Sequence, residues 1–468
     1  MNKNIKGSVT VFLALVLSSL IFLIVTLSSI CVNNMLKVRS NILSDVALNS
    51  VLGEYSMALK NKYNLLYIDT SYLTKEPSIN NLSNQILLYL NLNLSESHNL
   101  NNTYWGNLTV NNCDINEFQT ATAKNGGSVR YQAVKNIVKN ELFPVLKEEV
   151  DEAINASYED INLETNYFQM WDELMNTIEC MELPKEYDET LKRMVEVPLD
   201  NPALWVYDYS KNDISYNAHI NLDDVGSTKV DIINGPSNNA YNTHSMSDIK
   251  DTSKDEFISY IINYMSSYKN YENDNVLGLE LEYIINHDSS DIDNLSAVIK
   301  RILDVRASDN FSAAISDGNL YSQALLSSSK IKVCMLDNRF IVPVAMSMVY
   351  AAAYLETVSD IYSIFNDGAV PLVKNTHHFS IDDVLYGNTE LNMNNEGLKY
   401  RQYLIVFLNE LEEETLNLRT MDVMEFNIKN ITKNNNFKMN WCIERFNAQM
   451  NFSINNKDYH LNRIYGYY

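Results

Sequence analysis

Between Lys6 and Lys37 the chain carries no charged residue, and sixteen of the residues from Val9 to Val32 are Leu, Ile, Val or Phe. An α-helix rises about 1.5 Å per residue, so about 20 apolar residues cross a hydrocarbon core of about 30 Å. Residues 9–32 suffice. A cleaved signal peptide has an apolar core of only about 7–15 residues and small residues before the cut. This run is longer, and no A-x-A-like site follows it. Nor does Leu27-Ser28-Ser29-Ile30-Cys31 fit a lipoprotein signal, because Ile30 stands where a small residue belongs. A retained transmembrane helix is expected over 9–32. Lys3, Lys6 and the free amine outweigh Lys37 and Arg39, which places residues 1–8 in the cytoplasm and the rest outside.

The helical pattern continues beyond the apolar run. From Asn33 to Leu66 there is no Pro and one Gly, Gly53, and Leu48, Leu52, Tyr55, Leu59, Tyr63 and Leu66 recur at helical spacing. This predicts an amphipathic stalk over 33–66. Its apolar stripe needs a partner, either the chain's own head or a neighbouring subunit. Within the apolar run, the small residues Gly7, Ala14, Ser18, Ser19, Ser28 and Ser29 permit close approach of another helix in lipid.

The start Gly7-Ser8-Val9-Thr10-Val11-Phe12, followed by a long apolar helix, resembles TadE/TadG-type pilin-like proteins of tight-adherence pilus systems. More of the chain resembles a family of uncharacterised membrane-anchored proteins from clostridia and related Gram-positive bacteria. The stretches that carry this are Asp45 to Asp69, Leu279 to Arg306, Gly368 to Lys374 (GAVPLVK) and Leu398 to Glu425. The resemblance implies a location and an association through the N-terminal helix, with Gly7, Ser8 and Phe12 in its opening motif. Type IV pilin-like proteins are cut after a Gly and carry Glu at the fifth mature position. After Gly7 that position is Phe12, which cannot pair with a neighbour's amine. The resemblance therefore implies a minor subunit or an unpolymerised anchor rather than a major filament.

A formal charge of −23 and the lack of a basic stripe exclude nucleic acid as a partner. The cysteines Cys31, Cys113, Cys180, Cys334 and Cys442 are widely spaced, with no CxxC or Cys/His cluster, so free thiols and no zinc site are expected. With only 13 Gly and 8 Pro, long flexible linkers and collagen-like stretches are not expected.

The fold class expected is α+β, mainly helical: one transmembrane helix, a stalk, and a helix-rich ectodomain with small sheets. Helices are expected over Ile79 to Leu92, Ser128 (as cap) to Ala156, Tyr167 to Met181, Lys254 to Tyr271, Ile292 to Ser316, Asn319 to Leu336 and Leu398 to Asn430. Strands are expected over Asn107 to Ile115 and Leu279 to Ile285, with a hairpin in Phe437 to Phe452. Turn formers between Pro184 and Ser253 suggest a boundary, giving lobes 67–253 and 254–468. Phe340 to Leu355 is uncharged but short for a membrane span and contains Pro343, so a buried core helix is expected.

Motifs for chemistry are weak. His377 and His378 are adjacent and diverge on any regular element, so a surface loop is their expected place. His287-Asp288-Ser289-Ser290-Asp291 has the residue types of a hydrolase triad, but Ser290 or Asp291 capping the next helix explains it better. Asn221 to Gly226 resembles a calcium loop only loosely, with Val225 at a ligand position. No cofactor and no metal are expected. The sequence points to a non-enzymatic, membrane-anchored surface protein, an accessory or minor pilin-like component of a Tad-type pilus or secretion apparatus. Its expected partners are membrane lipid, proteins of that apparatus, and its own copies. The competing expectations are an anchored exported enzyme acting on cell wall or polysaccharide, and a surface adhesin or receptor.

Overall fold

From Ser8 to Leu52 neither Gly nor Pro interrupts the chain, and in the computed structural model a single helix runs over Asn4–Leu52. The structure describes residues 4–96, 106–156, 163–220, 222, 225, 229–239, 250–271, 275–388, 391 and 393–467. Of the loop read as calcium-like, Asn221, Asp223, Asp224 and Gly226 lie outside the described residues. The fold is α+β and mainly helical. It divides into two compact units, one from Met1–Asn136, Ile233–Thr252 and Met424–Tyr468, the other from Ile137–Ile232 and Ser253–Val423. The chain passes between the units near residues 136, 232 and 253 and returns to the first unit at its C-terminal end. Consecutive lobes over 67–253 and 254–468 do not describe this interleaving, which rests on strand pairing between distant segments.

In the first unit, β1 (Ile68–Asp69), β2 (Leu108–Thr120), β5 (Cys442–Ile454) and β6 (Lys457–Gly466) form one antiparallel sheet. Strand β5 is central: β2 pairs along one edge, and β1 and β6 share the other. The β5–β6 turn places Asn455 and Asn456 at φ of 50° and 64°, the left-handed pair that a two-residue hairpin needs and that Asn tolerates. On β5, Phe446, Ala448, Met450, Phe452 and Ile454 alternate inward. They share a core with Leu82, Ile86 and Leu90 of the Ile79–Glu96 helix and with Leu36, Leu48 and Val51 of the N-terminal helix.

The N-terminal helix stops at Leu52, and a capped short helix, Met57–Tyr63, follows. The segment read as a stalk is therefore two helices. Leu48, Leu59 and Tyr63 of its stripe are fully buried in the first unit, so the chain's own head fills it. Polar contacts add to this. Asn33 accepts from Asn455 (2.6 Å), Asn41 from Arg463 (2.7 Å) and Asp45 from Tyr465 (3.1 Å), while Tyr467 donates to the Leu52 carbonyl at 2.8 Å.

The helix expected from Ser128 is two, Ala123–Ile137 and Phe143–Asn155. Lys124, Asn125 and Gly126 lie in left-handed conformations, and Pro144 suits the first turn of the second helix, where its missing N–H costs nothing. Ser128 does not cap; its hydroxyl donates to Glu444 at 2.5 Å.

In the second unit β3 (Lys185–Asp188) and β4 (Arg193–Glu196) form a separate hairpin. Its core joins the Asp291–Ser316 and Ile341–Phe365 helices to Tyr167–Glu179. Trp171 sits among Tyr207, Phe311 and Tyr354, with ring centroids 5.4 to 6.1 Å away. The Ile341–Phe365 helix holds Pro343 in its first turn and is buried along most of its length; it is the core helix that its sequence suggested. All five cysteines are free thiols.

Leu279 to Ile285 is a helix, Glu280–Asn286, not a strand. Its period-2 pattern misleads because both glutamates are buried with partners. Glu280 accepts from the Ser266 N–H (2.8 Å), and Glu282 Oε1 from the Tyr268 N–H (2.9 Å) and the Tyr400 hydroxyl (2.6 Å). Asp291 accepts from the N–H groups of Gly278 and Leu279 at the start of this helix. Glu282 Oε2 is buried without a hydrogen bond among the described residues. Burial pushes the Glu282 carboxyl up to about 7 against the pull of its hydrogen bonds. The folded state then holds this proton more tightly than the unfolded chain. The resulting stability is present below the ordinary Glu range and lost as pH rises through about 7. Glu282→Gln is expected to flatten the fall in urea midpoint between pH 5 and pH 8; an unchanged slope would contradict this.

Candidate functional site

The N-terminal helix changes surroundings along its length. From Val9 to Val25 every residue is exposed; Leu36, Ser40 and Ser44 are buried against the first unit. The uncovered part is apolar, with Phe12 67% and Phe22 71% exposed. Residues Val9–Leu52 form a helix long and apolar enough to cross a membrane. Three of its hydroxyl groups bond to carbonyls of the preceding turn. Ser18 donates to the Leu15 carbonyl and Ser19 to the Val16 carbonyl, both at 2.9 Å, and Thr26 to those of Phe22 and Leu23. Back-bonding of this kind lets a polar side chain sit in hydrocarbon without an orphan donor.

At 3.6 residues per turn, Gly7, Ala14, Ser18 and Ser29 fall within about 60° of one another around the axis. Ser28 flanks this stripe. Ser8, Phe12 and Ser19 lie on a second face, about 100–140° from Gly7. The small residues named from the sequence are therefore on one helix but not on one side of it.

A second feature lies in the other unit. Three stretches singled out in the sequence meet there: the end of Leu279–Arg306, the loop Gly368–Lys374, and Leu398–Glu425. Arg306, fully buried, donates from Nε to Asp360 (3.0 Å), from Nη1 to the carbonyls of Pro371 (3.0 Å) and Leu372 (2.7 Å), and from Nη2 to Asp309 (2.8 Å). Lys374 reaches Glu356 and, at 2.6 Å, Asp360. His377 Nε2 lies 3.3 Å from Asp309, and its ring stacks on Phe379. Tyr403 donates to the Val370 carbonyl at 3.0 Å. Burial pulls the Arg306 pKa down, but Asp360 and Asp309 outweigh it, and the net shift is upward. Burial likewise raises Asp309, yet His377 and Arg306 hold it below the ordinary carboxylate range.

The loop needs glycine at two positions. A Cβ on Gly397, at φ +113°, would stand 2.1 Å from Pro371 N, and one on Gly368 would stand 2.4 Å from the Asn394 carbonyl. These close approaches let Ala369 N–H bond the Asn394 carbonyl (2.9 Å), and Val370 and Leu398 exchange bonds of 2.9 and 3.1 Å. Between the Ile341–Phe365 helix, the loop and residues 393–396 lies a cleft of about 750 Å³, lined by Glu356, Asp360, Lys374 and His378.

The histidine pair is divergent as expected, but only partly in a surface loop. His378 is exposed, whereas His377 is drawn against Asp309. The His287–Asp291 run is a cap: His287 closes one helix at φ 62°, and Ser290 accepts from the Asp293 N–H at 3.2 Å to open the next. His287 Nε2 instead faces Asp422 at 3.3 Å. Arg306 and Lys374 end two of the three stretches that meet here but were given no role from the sequence, and Asp309, Glu356 and Asp360 were not singled out. The available signal was Glu356 and Asp360, four apart in an otherwise uncharged stretch and hence on one helix face.

A family model described as a family of unknown function (DUF5702) matches residues 188–454. That range contains the charged network, the cleft and β5; the apolar helix lies outside it. No curated protein and no solved structure matches the chain.

Proposed function

We propose, from the premise that the chain belongs to the family of unknown function DUF5702, that it is a non-enzymatic, membrane-anchored surface protein. It serves as an accessory or minor pilin-like component of a Tad-type pilus or secretion apparatus. The observation that carries this reading is the change along one unbroken helix, uncovered and apolar at first, then built into a folded unit. A merely tethering helix needs no such continuity. A helix rigidly joined to its head transmits the head's position to whatever it packs against in lipid. The flanking Lys3 and Lys6 favour a cytoplasmic start and an external body. The charged groups of the second unit support a structural role, since Arg306 spends its donors on two carboxylates and two loop carbonyls.

The stripe predicts which face associates. A photo-crosslinking residue at position 14 or 18 is expected to give discrete adducts with membrane subunits of the apparatus or with a second copy. At position 12 or 19 adducts should be several-fold weaker. Ala14→Leu, which fills the stripe, should reduce the position-18 adducts by a similar factor. Equal labelling at all four positions, or none beyond lipid, would overturn the assembly role.

A further inference from the structure

We propose that the cleft beside Glu356 and Lys374 binds a neutral polyhydroxyl ligand, a saccharide unit. Three observations converge. First, charge: Lys374 is held between Glu356 and Asp360, and Arg306 between Asp360 and Asp309. Neither cation is left for a phosphate or sulfate, and the carboxylates outnumber the two cations, so polyanions are disfavoured. Among the described residues no three His, Cys, Asp or Glu side chains gather to hold a metal ion.

Second, hydrogen bonding. Glu356 Oε1 accepts from both Lys374 and the His378 N–H, while its Oε2 has no hydrogen-bond partner among the described residues. His378, Asn394, Asn395 and Glu396 also line the cleft. Residue types that donate and residue types that accept thus line one opening. A sugar hydroxyl donates and accepts at once, so a polyhydroxyl ligand satisfies both sets without carrying charge. A lipid or apolar peptide would strand them.

Third, rigidity and size. Glu356, Asp360 and Lys374 keep under a tenth of their side-chain surface exposed and are fixed by ion pairs. The opposite wall is stitched to the loop by the backbone bonds around Gly368 and Gly397. At about 750 Å³ the cleft lies within the range of about 300–1,000 Å³ common for small-ligand sites.

The test is calorimetric titration of the full chain in a detergent without a sugar headgroup. The probes are the tetramer of N-acetylglucosamine, maltotetraose, and inorganic phosphate as the charged control. Saturable binding of at least one saccharide is expected, with no heat from phosphate. His378→Ala and Asn395→Ala, both at exposed positions, should each weaken binding tenfold or more while leaving the thermal unfolding midpoint unchanged. Glu356→Gln should weaken it further. Failure of both saccharides to bind, binding of phosphate instead, or affinity unaltered in all three variants would overturn the proposal. The crosslinking result at positions 14 and 18 is independent of each of these outcomes.

Discussion

Replacing Leu17, Ile21 and Val25 together by Lys is expected to remove the protein from the membrane fraction. Sixteen Leu, Ile, Val and Phe residues lie between Val9 and Val32. At about 0.3–0.6 kcal/mol each near the helix centre, they favour insertion by roughly 5–10 kcal/mol. Each Lys near the centre opposes insertion by about 2.5–3.5 kcal/mol, so three offset the whole gain. A single Leu20→Lys leaves a surplus and should remain inserted. Flotation of cell membranes on a density gradient separates the outcomes, since lipid floats and aggregates sink. The triple variant floating with lipid at the level of the unaltered protein would defeat the anchoring proposal. Loss of the single variant would show an insertion margin smaller than one Lys.

The second large effect concerns Arg306. Arg306→Met should destabilise the second unit by about 3–5 kcal/mol, the usual cost of removing one partner from a buried ion pair. Asp360 and Asp309 would each lose their guanidinium, and the carbonyls of Pro371 and Leu372 would lose their donor. Lys374→Met should cost less: it strands Glu356, but Asp360 keeps Arg306 and the carbonyls of Pro371 and Leu372 keep their donor. Urea unfolding followed by tryptophan fluorescence reads the second unit through Trp171 and Trp205. A change under about 1 kcal/mol for Arg306→Met would show that water replaces the network without loss. The pH dependence has a definite sign. Asp309 is held below the ordinary carboxylate range in the folded state, so its contribution is complete above that range and lost as pH falls through the folded value. His377→Phe removes one of the groups holding it down, and acid unfolding should then begin at higher pH.

Local features were legible from the sequence because their causes are local. Ser290 opens a helix through a bond three residues away, and the long apolar helix needs only its own composition and the lack of Gly and Pro. Pro343 within an uncharged run sufficed to place a buried helix. What failed was whatever a distant residue decides. The alternation of Leu279 to Ile285 is that of a strand until Tyr268, Tyr400 and Ser266 supply partners for its glutamates. The Ser128 hydroxyl, well suited to a cap, is taken by Glu444 from the far end of the chain. Arg306, Glu356, Asp360 and Lys374 each look like ordinary surface charges, because in sequence nothing marks that they converge. The histidine pair was recognisable as divergent, but only the position of Asp309 draws one of the two inward.

The central position of β5 constrains the order of assembly. Strands β1 and β2 do not pair with each other; both pair with β5, and the bond from Thr70 to Trp441 closes a loop of 371 residues. On the proposed anchoring, the apolar helix enters the bilayer during synthesis while its own sheet has no middle. The faces of β2 and of the helix beyond Asn33 must wait, open to aggregation or to a chaperone, until the ribosome has delivered the entire second unit. The time for which that half stays unfinished grows with everything inserted between residues 120 and 442.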